Sequence, residues 1–284
     1  MSEPPSHLSH SSRETLLRCA KAYFLSRIAK APSRPALWLA GGSAVHEVTE
    51  EYDHLAEAGE TGGFILDESW NYHFEAQLRE IREKEPNENV WRWSQSEPIP
   101  VWQAMGLDFV KAYIDWRERS PWTIWTTPDG EPAIELDVSG FLPGCPVEVK
   151  GYVDRVFHDP VFDKLWILDL KSGKRPPKSA DQFATYAALI KVKYDVDISD
   201  GVPFMNRKGM PGKPFDLSEY TPESIGKVYG EAWKLIEEGE FPADGYDREC
   251  FICDVSAACY AKNGPLAAQY DPAHPDHPDH EYPF

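Results

Sequence analysis

The chain has 284 residues, 42% of them hydrophobic and 13% aromatic, which is ample for the core of one large domain or two small ones. No stretch approaches the roughly 20 apolar residues of a membrane helix, and MSEPPSHLSHSSRET lacks the charged-then-apolar layout of a secretory signal, so a soluble cytoplasmic protein is expected. The formal net charge of −18 argues against a broadly basic surface that coats nucleic acid. It leaves room for a narrow basic strip beside a carboxylate-lined metal site.

Ser11, with Glu14 three residues on, predicts a capping box opening a first helix, and Leu16, Leu17, Tyr23, Phe24 and Ile28 recur at helical spacing. Cys19 is expected on this helix. After a proline-containing connection, GGSAVHEVTEEYDHLAEAG predicts a second helix with Val45, Val48, Tyr52 and Leu55 on its buried stripe and His46 in its first turns. Residues 60–120 are polar and rich in tryptophan, with helical patches in SWNYHFEAQLREIREKE and VWQAMGLDFVKAYIDWRER, and are expected as a helical insertion. Three β-branched runs follow, AIELDVSG, VEVKGYVDRVF and KLWILDLKSG, as neighbouring strands of one sheet. A helix over 179–192, short strands near 202–206 and 215–220, and a long helix opened by Thr221 and Pro222 and running through Glu238 come next. The last residues, HPDHPDHEYPF, carry His274, His277 and His280 and are expected to form a loosely held, low-complexity tail.

Strand alternation in KLWILDLKSG puts Asp169 and Lys171 on one face and Leu168 and Leu170 on the other. An adjacent strand carrying Asp154, at a spacing of about 4.8 Å, brings a second acid to a common divalent ion, and His46 is a further candidate ligand. Phosphodiester cleavage needs this set. Carboxylates hold Mg²⁺ or Mn²⁺, the ion polarises the phosphoryl group, and a lysine orients water or stabilises negative charge. An aspartate and a lysine two apart are by themselves also an ordinary strand-surface pair.

With its neighbours, however, the pattern resembles the RecB-like branch of the PD-(D/E)XK nuclease superfamily. GGSAVH matches its glycine–histidine motif through His46, GYVDRV its acidic motif through Asp154, DLKSGK its D-x-K motif through Asp169 and Lys171, and QFATY its Q-x-x-x-Y motif through Gln182 and Tyr186, all in family order. The resemblance implies that His46, Asp154, Asp169 and the carbonyl of Leu170 bind the metal and that Lys171 is the catalytic lysine. It further implies that Gln182 and Tyr186, four apart on one helix face, line the active site and touch DNA. Glu135 falls where the family often has a further acid, with Asp137 and Glu148 as competitors. Lys174, Arg175 and Lys178 form a compact basic run, readable as phosphate contacts or as a solvated loop.

Five cysteines in a chain without an export signal point to metal binding or buried thiols rather than disulfides. Cys250, Cys253 and Cys259 read C-x2-C-x5-C, and Cys19 lies far upstream; four thiolates could enclose one Zn²⁺ or one iron–sulfur cluster. This one-plus-three layout resembles the iron–sulfur subset of RecB-like nucleases, among them AddB-type subunits and CRISPR-associated exonucleases, and implies a 4Fe–4S cluster stapling the two ends of the domain. Cys145 has no partner in the pattern.

The expected fold is therefore α/β. A mixed central sheet flanked by helices occupies 8–262, with a helical insertion at 60–120, a cluster segment at 250–259 and a tail at 263–284. The expected activity is a metal-dependent DNA exonuclease acting at ends or in single strands, in phage or bacterial recombination and repair or in CRISPR spacer acquisition. Its partners would be DNA and a recombination annealing protein or CRISPR adaptation proteins. A DNA-binding or assembly module with a vestigial site, and a zinc-stabilised structural protein, are the alternatives.

Overall fold

The computed structural model describes residues 5–92, 96–244 and 250–280. The N-terminal part consists of β1 (His7–Ser9), α1 (His10–Arg18), α2 (Ala20–Tyr23) continued by a π-helical turn at Phe24–Ile28, α3 (Leu37–Ala58), α4 (Leu66–Lys84) and α5 (Ile99–Arg117). Strands β2 (Thr123–Ile124), β3 (Ile134–Asp137), β4 (Glu148–Lys150), β5 (Tyr152–Asp159) and β6 (Lys164–Lys171) follow. Then come α6 (Asp181–Tyr194), β7 (Asp200–Met205), β8 (Met210–Pro211), β9 (Phe215–Asp216), α7 (Pro222–Glu238) and the short α8 (Ala267–Tyr270).

Antiparallel β5 and β6 form the middle of a mixed sheet. β2 and β3 pair with the other side of β5, while β7 runs parallel to β6 after the α6 crossover and carries β8 and β9. Ile167 to Leu170 are all buried, as a strand covered on both faces requires. One face packs Val153, Val156 and Ile167 against Phe183 and Leu189 of α6 and Tyr229 and Trp233 of α7. The opposite face packs Phe157, Leu168, Leu170 and Phe204 against Tyr113 of α5. Helices α3, α4 and α5 share a further core around Val45, Trp70, Phe74, Trp102 and Phe109. Gly106 makes the α4–α5 approach possible, because a Cβ there would stand 2.1 Å from the Trp70 ring. This is the α/β architecture expected, a mixed sheet flanked by helices.

Several local expectations change. The first helix is capped by Ser9, not Ser11: Ser12 N donates to Ser9 Oγ (3.2 Å) and Ser9 N to Ser12 Oγ (2.8 Å), so the box closes on two serines and Glu14 is left out of it. Cys19 does not ride on a helix. It is an extended residue (φ −162°) between α1 and α2. α3 starts at Leu37, before the two glycines, because packing of Gly41 against Trp102 outweighs glycine's poor helix propensity; His46 thus lies midway along the helix rather than in its first turns. The run VEVKGYVDRVF breaks at Gly151 into β4, which pairs with β1, and β5, which enters the main sheet. The strand expected near 215–220 is confined to Phe215–Asp216. Thr221 caps α7 as expected, in a box with Ser224. Asp271 is 1% exposed and accepts from Tyr260 N (2.9 Å) and Lys21 Nζ (2.9 Å), which anchors the start of the C-terminal tail; residues 281–284 lie outside the described residues.

Candidate active site

Strand register assembles the acids. Arg155 pairs with Leu168 across β5 and β6, so Asp154 and Asp169 stand opposite one another at the next step. Ile134 pairs with Arg155 and Leu136 with Val153, which sets Glu135 opposite Asp154. Glu135, Asp154 and Asp169 therefore form one row across three adjacent strands. α3 brings His46 to this row, its Nδ1 3.5 Å from Glu135 Oε1 and 3.6 Å from Asp154 Oδ1. Among the described residues, His46, Glu135 and Asp154 offer metal-type ligand atoms that all lie within 4.8 Å of one another. Glu135 adopts a left-handed backbone, φ 46°, a conformation that costs a residue with a Cβ about 1–2 kcal/mol. Such strain persists where surrounding contacts fix it, and here His46 and Arg155 (3.3 Å) both hold the carboxylate.

The row concentrates negative charge in a buried place. Burial above all pushes Asp154 up; His46 opposes this, Asp169 and Glu135 add to the rise, and its pKa reaches about 7. Burial alone would lower His46, but Asp154 and Glu135 raise it to about 9. Asp154 Oδ2 accepts the backbone N–H of Leu170 at 2.6 Å, leaving Oδ1 toward His46. Asp169 is 2% exposed, and its Oδ2 lies 2.5 Å from the Lys171 ammonium, which pairs with it.

α6 supplies the other wall. Gln182 Oε1 accepts from Lys171 Nζ (2.9 Å), while its Nε2 donates to Asp169 Oδ1 (2.8 Å) and Tyr186 Oη (2.9 Å). One amide thus fixes the lysine and the aspartate together. Tyr186 is buried, and burial, then Asp169 and Asp154, hold its phenol far above the usual range; it supports Gln182 from behind. For Lys171, burial pulls down but Asp169 outweighs it, and the amine stays a cation.

Behind the row lies a buried ion network that sequence reasoning missed. Arg155, with no exposed surface, donates its Nε to Asp53 Oδ2 (2.5 Å) and its Nη1 to Glu135 Oε1 and to the Asp154 carbonyl. Asp53, equally buried, also accepts Tyr113 Oη (2.6 Å) and Arg117 Nε (2.8 Å). The signal available was an arginine beside the acid in an otherwise apolar strand, which requires a buried counter-charge. Of the competitors to Glu135, Asp137 is exposed and caps Ser139 N (2.8 Å), and Glu148 lies on β4, outside the row. In the basic run, Lys174 pairs with Glu97 (2.8 Å), and Arg175 and Lys178 are exposed.

At the other end of α3, Cys19, Cys250, Cys253 and Cys259 line one cavity of about 200 Å³, together with Ala22, Leu25 and Val255. Burial raises the Cys253 and Cys259 thiols. Cys145 is buried elsewhere, its thiol donating to Val147 O (3.2 Å).

Residues 7–260 match the family described as the PD-(D/E)XK nuclease superfamily. The chain is similar to the Gene 69 protein of Mycobacterium phage D29, 34% identical over 256 residues that cover 85% of this chain and 92% of the phage protein. It is also similar to the Gene 69 protein of Mycobacterium phage L5, 31% identical over 271 residues with the same coverage. No described helix is long and apolar enough to cross a membrane.

Proposed function

Because the chain belongs to the PD-(D/E)XK nuclease superfamily, whose members are metal-dependent nucleases, we propose that it is a DNA exonuclease hydrolysing phosphodiester bonds at DNA ends or in single strands. The observation that carries this reading is the row Glu135–Asp154–Asp169 with His46 at one end and Lys171 at the other. The donor set, one imidazole and two carboxylates whose ligand atoms lie within 4.8 Å of one another with Asp169 beside them, suits a hard divalent cation. His46, Asp154, Asp169 and the Leu170 carbonyl, with Glu135 added, would hold Mg²⁺ or Mn²⁺. The ion supplies Lewis-acid polarisation of the phosphoryl group and activation of water. Lys171, kept charged by Asp169 and aimed by Gln182, stabilises negative charge on the phosphate oxygens rather than accepting a proton. Gln182 positions that ammonium, and Tyr186 positions Gln182.

The four-cysteine cavity is proposed to hold a 4Fe–4S cluster. All four cysteines line this one cavity, and the one-plus-three layout of Cys19 with Cys250, Cys253 and Cys259 supports a cluster over a structural zinc site, which usually has two paired cysteine knuckles. Lys21 paired with Asp271 (2.9 Å) and Arg34 N donating to Asp254 O (2.8 Å) already tie the same segments together, which fits a structural staple. The relatives are phage proteins, which supports the cytoplasm of an infected host as the setting; recombination or repair is the role we propose there.

The test is digestion of end-labelled single- and double-stranded DNA in Mn²⁺, Mg²⁺ or EDTA by wild type, Asp154→Ala and Lys171→Ala. Metal-dependent degradation that both folded variants lose is the expected result. An inert wild type, or variants that cut equally well, would remove the catalytic assignment in favour of a DNA-binding module.

A further inference from the structure

Between two cavity-lining cysteines, the loop presents Phe251 at 83% and Ile252 at 51% exposure. It is held rigidly from behind. Arg34 Nη2 donates to Cys253 O (2.9 Å), Arg92 Nη1 to Ile252 O (2.8 Å) and Arg92 Nε to Arg34 O (3.1 Å). Beside Phe251 opens a groove of about 450 Å³ lined by Arg34, Ser256, Lys262 and Asn263. Arg18 and Arg34 both lie within electrostatic reach of Arg92, with Asp254 as counter-charge. This concentration of guanidinium groups stands on a chain of net charge −18.

The feature continues toward the acids. The Arg92 guanidinium lies over the Trp38 ring at 5.3 Å, and Trp38, Gly42 and His46 follow one another at four-residue spacing along one face of α3. About 12 Å of helix separates Trp38 from His46. At Gly42 the same face meets Ser172, whose Oγ would be 3.2 Å from an added Cβ, and Ser172 leads into the exposed Lys174 and Arg175.

We propose that this lip is a landing track for single-stranded DNA: a base stacks on Phe251, Lys262 and the guanidinium groups of Arg34 and Arg92 behind the loop supply positive charge for the phosphates, and the strand is led along α3 to the carboxylate row. The proposal rests on the nuclease reading and adds where the substrate strand runs. An aromatic ring displayed among arginines needs an unpaired base to stack on, which single strands offer and duplexes do not. Guanidinium groups around the ring suit a phosphate backbone better than an apolar protein partner.

Binding of fluorescently labelled dT20 in EDTA, followed by anisotropy, tests it. Phe251→Ala is expected to bind about tenfold more weakly, the effect of removing one stacking platform, and Phe251→Trp to restore affinity. Both variants should keep the visible absorption of the purified protein and wild-type Mn²⁺-dependent hydrolysis of thymidine 5′-p-nitrophenyl phosphate, which reaches only the acids. Wild-type dT20 affinity in Phe251→Ala overturns the track, as does a loss that Phe251→Trp leaves unrepaired. Phe251-dependent binding by a wild type that hydrolyses neither DNA nor the nitrophenyl ester keeps the track and removes the nuclease reading. Ester hydrolysis with Phe251-independent binding does the reverse.

Discussion

Asp53→Asn probes the least visible part of the site. Asp53 takes three charged or hydroxyl donors in a fully buried position, Arg155 and Tyr113 on Oδ2 and Arg117 on Oδ1. Asparagine keeps the shape, removes the charge and turns an amide N–H₂ toward guanidinium groups. Arg155 is then left with no exposed surface and, among the described residues, with Glu135 at 3.3 Å as its remaining ion-pair partner. Breaking a buried pair from one side costs about 3–5 kcal/mol, a large share of the roughly 5–15 kcal/mol that holds a typical domain together. At about 2–4 °C per kcal/mol for a chain of this size, the melting temperature should fall by about 10 °C. Urea unfolding followed by circular dichroism gives the free energy directly. Arg155→Met and the double variant complete the cycle, and the double variant should be less damaged than the sum of the two singles, because no unpaired charge remains. A loss below about 1 kcal/mol in Asp53→Asn, against the expected buried-pair penalty, or strict additivity, would refute the network's role in holding α3 and α5 to the sheet.

Three further outcomes are expected. Glu135→Gly should be more stable than Glu135→Ala by about 1 kcal/mol in thermal melts, because both lose the carboxylate but only glycine relieves the left-handed backbone; both should lose metal-dependent cleavage. In metal-free protein, Asp154 at about 7 and His46 at about 9 bind protons more tightly folded than unfolded, so their contribution is full below the unfolded pKa values and is lost as pH rises through about 7 and then about 9. Mg²⁺ competes with those protons, and its stabilisation measured by melting should be larger at about pH 8.5 than at about pH 6. On the proposed cluster assignment, purified wild type should carry iron and absorb in the visible, and Cys259→Ser should lose both and unfold at lower urea, while retaining the fold of the sheet by circular dichroism.

The catalytic strands were legible because their signal is local. Period-two alternation in KLWILDLK placed Asp169 and Lys171 on one face, and the strand register then set Asp154 opposite Asp169. Gln182 and Tyr186 were legible as one helix face, but not their relation: the glutamine amide bridges Lys171, Asp169 and Tyr186 at once, a contact set by the α6 crossover rather than by spacing. Glu135 could be narrowed to a strand but not chosen over Asp137, which lies two residues on and shares its face by alternation, or over Glu148, which the next run offered. The first helix began elsewhere for a similar reason: Ser9 and Ser12 close a box as well as Ser11 and Glu14 would, and only packing of the preceding β1 decides. The Asp53–Arg155 network spans 102 residues of sequence, and no local pattern reports a partner at that distance.

α3 connects these observations. Just before its N-terminus, Arg34 grips the cysteine loop; in its middle, His46 adjoins the acid row; further on, Thr49 Oγ1 accepts from Arg155 and Asp53 neutralises it. A single helix of 22 residues therefore meets the cysteine loop, the acid row and the charge network behind it. A helix so fixed transmits displacement at one end to the other as a rigid body, since its own hydrogen bonds resist bending over so short a length. The cysteine cavity can then matter to cleavage without carrying electrons. Loosening the loop frees Arg34, α3 shifts against the sheet, and His46 leaves a row in which 3.5 Å separates it from Glu135. On this argument, damage at the cysteines weakens metal binding at the acids, whereas removal of the metal leaves the cysteine cavity in place, because the strands that carry the acids are held by their own ladder.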